Sequence, residues 1–414
     1  MKFAASLSLI VLVMGTLLSR ADAQGIASPS ATAAVAAVLA RAVERGDTPG
    51  VVGLVVDRDG VLFEGASGKF DLARDVPLRA DAIFNIASMT KPVTSVAIMM
   101  LLEQGKLALD DPVSRYLPGF DKLEVITKFN AADGTYESTP AKRAMTLRHL
   151  LTHTSGIGYG FSSPIVARLQ QGNEKTEWEL PLLHEPGERW TYGASTRVLG
   201  LIVEKITGES LEAYFQEHIF VPLGMIDTSF AVLPAKQSRV ITAYSHADGK
   251  FQPQPAGTVP STPTPPFRGD GGLFSTVHDY GQFVRMLLNR GRLGDAKILS
   301  PSSVALMSRN QIGAVFVAQQ PAANPALTRP FPLGAGRDKF GLGFQVTEPS
   351  SDGSKYRSPG SLSWAGIFNT EFWVDPKRGI GGVLMMQYLP FYDEAAIRTL
   401  RDFEAAVYEQ LAPR

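Results

Sequence analysis

The chain has 414 residues, with 40 Lys+Arg against 40 Asp+Glu, 44% hydrophobic residues, 6 histidines and no cysteine. That balance excludes a collagenous or highly charged disordered chain, and with no basic cluster it offers no footprint for nucleic acid. Without cysteine there are no disulfides, thiolate nucleophiles, iron–sulfur clusters or Cys-based zinc sites, so covalent catalysis would have to use an oxygen or an amine.

In chain order, Lys2, the apolar run Leu7 to Leu18 and the small-x-small pattern Ala21-Asp22-Ala23 before Gln24 predict a signal peptide over residues 1–23. The alternative is an uncleaved anchor, but the run is short for a membrane span and Arg20 and Asp22 follow it closely. The expectation is an exported protein, periplasmic or secreted, with no membrane association once the leader is removed.

Ala31 to Glu44 reads as an Ala-rich helix, and Val51 to Val56 with Val61 onward as a hairpin about the Arg58-Asp59-Gly60 turn. The far end mirrors it: strands Asn369 to Val374 and Gly382 to Tyr388 flank the Asp375-to-Gly379 turn, and Glu394 to Leu411 is an amphipathic helix. The pattern predicts an α+β fold with one antiparallel sheet built from both chain ends and flanked by helices, covering residues 24–80 and 289–414. Residues 81–288 read as a largely all-helical insertion, through Val93 to Gln104, Thr146 to Leu151, Ser195 to Ile206 and Leu211 to Phe220. Two proline-rich stretches, Gln252 to Phe267 and Gln320 to Arg337, lack periodicity and read as loops at a cleft or, equally, as plain surface loops.

The chemistry begins at Ser88-Met89-Thr90-Lys91, where a short apolar segment enters the helix from Val93. A lysine three residues on lies on the same helix face as the serine and can touch its hydroxyl, and a helix N-terminus favours negative charge there. Taken alone, the tetrad equally describes a capping serine with a solvated lysine.

Three further stretches change that balance: Leu147-Arg148-His149-Leu150-Leu151-Thr152-His153-Thr154-Ser155-Gly156, Glu185-Pro186-Gly187-Glu188-Arg189-Trp190-Thr191-Tyr192, and Gly269-Asp270-Gly271-Gly272-Leu273-Phe274-Ser275-Thr276. With Ser88-x-x-Lys91 they resemble, in order, the serine beta-lactamase superfamily, and more narrowly the class C beta-lactamases and family VIII carboxylesterases, over one catalytic unit spanning residues 31–414. The resemblance implies a nucleophile in the cleft between sheet and helices. It makes Ser88 the acylated nucleophile, Lys91 its proton acceptor or the group that keeps its partner deprotonated, and Tyr192 a shared general base and acid whose phenolate Lys91 would stabilise. It also places Ser363-Trp364-Ala365-Gly366-Ile367 where the family has a Lys-Thr-Gly or His-Thr-Gly strand. Ala365 and Gly366 would then let substrate approach, and the Ile367 and Ser88 N–H groups would form the oxyanion hole. The other reading of that segment is an ordinary turn between strands.

Two departures bear on the substrate. Trp364 stands where the lactamases hold a carboxylate with a cation, and Tyr192-Gly193-Ala194 lacks the family's Asn. An aromatic at that point favours neutral, apolar groups, which ranks ester hydrolysis on short to medium acyl chains above beta-lactam or D-Ala peptide hydrolysis. The expected partner is a small-molecule ester or amide, with no cofactor. His149 and His153, four apart, could ligate a metal but more simply pack a turn beside the cleft, so no metal is expected. A Gly-x-Ser-x-Gly elbow and a phosphate loop are both missing, and the Gly269-to-Gly272 run reads as a loop approaching the cleft. A reading of a different class is a non-catalytic binding or sensor protein on the same fold. The joint presence of Ser88, Lys91 and Tyr192 argues against it.

Overall fold

The computed structural model describes residues 28–255, 259–349 and 356–413, so the expected leader lies outside the described residues. An eight-stranded sheet organises the fold. Its strands, numbered in chain order, are β1 (Gly50–Asp57), β2 (Val61–Asp71), β3 (Arg74–Pro77), β4 (Lys339–Phe340), β5 (Gln345–Val346), β6 (Leu362–Gly366), β7 (Thr370–Asp375) and β8 (Ile380–Met385). They lie in the order β4-β5-β6-β7-β8-β1-β2-β3, with every neighbouring pair antiparallel. The first hairpin and the last therefore meet where β1 pairs with β8, Val52 opposite Met385. Both turns are set by aspartates: Asp57 Oδ1 accepts from the Asp59 and Gly60 N–H groups, and Asp375 Oδ1 from those of Lys377 and Arg378.

The central strands are apolar on both faces because both faces are covered. Val51 and Val55 point to one side, where helices α1 (Pro29–Glu44) and α5 (Glu394–Gln410) pack with Val35, Leu39, Phe403 and Val407. Val52, Leu54 and Val56 point to the other, against Tyr280, Phe283 and Val284 of helix α4 (Val277–Leu288). On that side also lie α2 (Thr90–Glu103), buried continuously from Thr90 to Met99, and α3 (Ser195–Thr207), packed against it. The two terminal helices are tied by Asp47, which accepts from both Arg45 and Arg398.

The fold is the expected α+β arrangement, with two differences inside residues 81–288. The region is not all helix. It carries hairpins at Glu124–Phe129 with Tyr136–Pro140 and at Tyr244–Ala247 with Lys250–Pro253, and a short ribbon pairs Phe84–Asn85 with Phe274–Ser275. The first hairpin is mostly solvent-facing, so no apolar period of two marks it. Helix α4 also belongs with the sheet it covers rather than with the insertion. Among the described residues no helix is long and apolar enough to cross a membrane.

Candidate active site

The Phe84–Asn85 ribbon delivers the chain into a tight 3-10 turn, Ala87–Met89, from which α2 departs. Ala87 adopts φ 41°, a left-handed conformation that a non-glycine residue takes only at a cost, and the Asn85 side chain pins it by accepting from the Ala87 N–H. Ser88 is thus not a helix cap, since α2 begins at Thr90 with Met89 before it and without a side-chain cap. Nor is Lys91 solvated: it is 2% exposed, its Nζ lies 3.0 Å from Ser88 Oγ, and it donates to the Asp270 carbonyl at 2.7 Å. Burial lowers its pKa to about 7, with Arg268 and Arg197 adding to the shift and the Asp270 charge opposing it.

Asp270 anchors the other side of this ammonium. Its carboxylate accepts from the Tyr159 hydroxyl and from Arg197 Nε at 2.9 Å, and Arg268 Nε stands 3.5 Å away. Burial alone would raise its pKa, but Lys91, Arg197 and Arg268 together hold it well below the usual carboxylate range. The loop reaches this position because Gly269 lies on α3: a Cβ there would sit 2.7 Å from the Thr196 carbonyl and 3.0 Å from Gly200 Cα. Thr94 of α2 fixes the same loop by donating to the Gly269 carbonyl at 2.6 Å.

Tyr192 enters from the opposite side. Its backbone N–H donates to Gln320 Oε1 at 3.1 Å, which ties the second proline-rich stretch to the site. Burial raises the phenol's pKa, while Ser88 and Trp364 pull it down only in part. Lys91 Nζ lies over the ring, 4.8 Å from its centroid, and is not among the groups that lower the phenol's pKa. Burial thus moves the two groups in opposite directions, the phenol's pKa up and the lysine's down to about 7.

Around Tyr192 is a wall of rings. His153 and Trp364 lie 5.0 and 5.1 Å from it, and Phe340 packs on Trp364 at 5.4 Å. Burial, with Lys91 next, keeps His153 neutral, its pKa far below the ordinary value. His149 sits apart in a capping box, its Nδ1 accepting from the Thr146 N–H at 3.1 Å. His149 therefore caps a helix, and His153 packs among the rings of the site.

β6 closes the site. Gly366 is required, since a Cβ there would lie 2.4 Å from the Ile86 carbonyl, so the strand passes directly against the Ala87–Met89 turn that carries Ser88. This brings Ile367 to the rim of the same cavity as Ser88, with Tyr192, Trp364 and Ala365. The cavity holds about 880 Å³. Phe331, Pro332 and Leu333 of the second proline-rich stretch line it, whereas the described residues of Gln252 to Phe267 do not.

A family model described as Beta-lactamase matches residues 35–407. The chain belongs to the Beta-lactamase family. Among its relatives, an uncharacterised protein of Mycobacterium tuberculosis is 36% identical over 355 residues, covering 82% of this chain and 86% of that protein. Monacolin J acid methylbutanoyltransferase of Aspergillus terreus is 31% identical over 397 residues, covering 89% and 94%. Among solved structures, EstCE1, a hydrolase with promiscuous acyltransferase activity, superposes with a TM-score of 0.73 at 26% identity, covering 92% of this chain and 98% of that one. The fold and these similarities place the protein among serine hydrolases and acyltransferases built on the beta-lactamase fold.

Within this Beta-lactamase family member the structure brings together Ser88, Lys91, Tyr192, Trp364, Ala365, Gly366 and Ile367, all named from sequence. Sequence reasoning missed Asp270, Tyr159 and Arg197. Asp270 stood inside a quoted motif but was read only for its glycines. An acidic residue between glycines, in a chain that must bury a lysine, was the available signal.

Proposed function

We propose that the protein is a serine carboxylesterase acting through an acyl-enzyme on neutral esters of short to medium acyl chains. The observation that carries this reading is the 3.0 Å contact between Lys91 Nζ and Ser88 Oγ, in a pocket that lowers the lysine's pKa to about 7. Near neutral pH about half of the lysine is then free to take a proton. Neutral Lys91 removes the Ser88 hydroxyl proton as Oγ attacks the ester carbonyl, and the Ser88 and Ile367 N–H groups receive the oxyanion. The buried phenol of Tyr192 gives its proton to the departing alkoxide, and the Lys91 proton restores the phenol. Water then attacks the acyl-enzyme by the same steps in reverse. The aromatic wall supports neutral substrates, since Trp364 supplies no charge to a substrate carboxylate.

The test is a panel of p-nitrophenyl esters set beside nitrocefin and a D-Ala-D-Ala peptide. Preference for either of the latter would replace the esterase reading, and a single burst without turnover would indicate a binding or sensor protein. A second reading, acyl transfer to an alcohol, is favoured by a cavity of about 880 Å³, large enough for an acceptor beside the acyl group. Added alcohols would then compete with water for the acyl-enzyme, read as ester product in place of free acid. We also propose export, on the basis of the leader expected over residues 1–23. Intact mass of protein from fractionated cells should place the mature start at Gln24.

A further inference from the structure

The cavity that holds Ser88 continues beyond the aromatic wall to a polar end lined by Glu371, Arg357, Glu404 and Arg401. Alternation along β7 explains how Glu371 comes to be there. Phe372 faces the helical side and packs on Tyr280 and Phe344, so Glu371 faces the other, as does Trp373 against Phe403 of α5. Directly opposite Glu371 on β6 is Ala365, whose small side chain leaves the carboxyl open to the cavity.

Glu371 is 6% exposed, and no hydrogen bond reaches its carboxyl among the described residues, although its partners on the two adjacent strands, Ala365 and Leu384, are both apolar. Arg357, the nearest cation, donates through Nε and Nη2 to Glu404 and makes no hydrogen bond to Glu371 among the described residues. Burial pushes the Glu371 pKa up to about 8, Arg357 opposing and Glu404 adding, so at neutral pH it is mostly a neutral acid that both donates and accepts. A buried carboxyl without a partner is costly for packing alone, and this one lines the space that a substrate would fill.

We propose that Glu371 is a specificity-determining residue that hydrogen-bonds a hydroxyl group carried on the ester substrate, away from the scissile carbonyl. The inference rests on the hydrolase reading and names the substrate class within it. A neutral hydroxyl suits this carboxyl better than either ion. An ammonium group would meet Arg357 and Arg401 at the same end, and a carboxylate would be drawn to Arg401 rather than to Glu371. A hydroxyl matches a neutral acid in both directions, giving one bond and taking one.

The experiment compares matched esters that differ only in a terminal hydroxyl or methyl group, placed on the acyl chain in one series and on the alcohol in another, over a range of lengths. In the wild type, one length should show about a tenfold preference in kcat/KM for the hydroxylated member, the scale of a single net hydrogen bond. The preference should vanish in Glu371→Leu and persist in part in Glu371→Gln. The amino-terminated member should gain nothing. Should Glu371→Leu fail to fold, Ala365→Val, which narrows the passage to an intact Glu371, should erase the same preference. The pairs are also compared by calorimetric Kd in the Ser88→Ala protein, so the preference is read even if no ester is turned over, and failure of the hydrolase reading stays separate. Equal values for every pair in the wild type, or a preference that survives Glu371→Leu, would overturn the proposal.

Discussion

On one side of Ser88, Lys91, Asp270, Tyr159 and Arg197 form a chain in which each polar group has a partner. On the other side, Tyr192, Trp364, Trp190 and His153 pack ring to ring, and His153 Nδ1 and Trp190 Nε1 close no hydrogen bond among the described residues. Lys91 and Asp270 are as deeply buried as Tyr192 and His153, yet burial acts differently on the two sides. In the first it is opposed by fixed charge, so Lys91 comes to rest near neutrality rather than far below it. In the second little opposes it, so Tyr192 is driven up and His153 down until both are neutral. On the proposed reading, the polar side would set the timing of proton transfer and the aromatic side which substrate charge is admitted.

The sharpest way to break this division is to remove the atom the two sides share. Ser88→Ala should abolish turnover, a loss of at least about 10⁴ in kcat, and should prevent labelling by a fluorophosphonate. A label that maps to another serine, or activity above a few per cent, removes Ser88 from the centre. Next in size, Lys91→Ala and Tyr192→Phe should each lower kcat by about 10² to 10⁴. Because the two act in one proton path, the double variant should lose far less than the product of the single losses. Full additivity would mean that the two sides work independently.

How much of this was legible before the fold was known follows the same division. Helix α1, the two terminal hairpins and α5 are local patterns of period 3.6 or 2, and the strands and helix drawn from sequence match them closely. Ser88 and Lys91 are three apart, so a single turn carries their geometry. Tyr192 and the Trp364-to-Ile367 segment came through family resemblance. The partners of Asp270 were not legible: Tyr159 lies 111 residues away and Arg197 73, and no local period links them. Glu371 drew no notice beside Asn369 and Thr370 in its strand, and only the register that sets it opposite Ala365 shows it lining the cavity.

A smaller effect tests the aromatic side. Wild-type kcat/KM for short p-nitrophenyl esters should exceed that for a carboxylate-bearing cephalosporin by about a hundredfold, because Trp364 itself offers a carboxylate beside it no charge. Trp364→Lys places an ammonium on the cavity wall and should narrow that ratio by about tenfold. Lys91 and position 364 both pack on the Tyr192 ring, so the new charge should lower that lysine's pKa further and leave ester activity intact toward lower pH. A ratio that does not move would shift selectivity from this wall to the Phe331-to-Leu333 segment.

The smallest effect tests the polar side, through pH. Lys91 must be neutral to accept the Ser88 proton, so wild-type kcat/KM should rise with pH through about 7. The Asp270 charge favours protonated Lys91, while Arg197 and Arg268 disfavour it. Asp270→Asn deletes the one opposing charge and keeps the backbone carbonyl that Lys91 Nζ donates to, so the rising limb should move to lower pH, by about one unit. The variant should also be less stable by about 3 kcal/mol, since Arg197 loses its buried counter-charge; a lower Tm reads that loss apart from the pH profile. A limb that stays in place, or moves to higher pH, would show that the group titrating in the profile is not Lys91, and the proton would then have to leave Ser88 through the aromatic side.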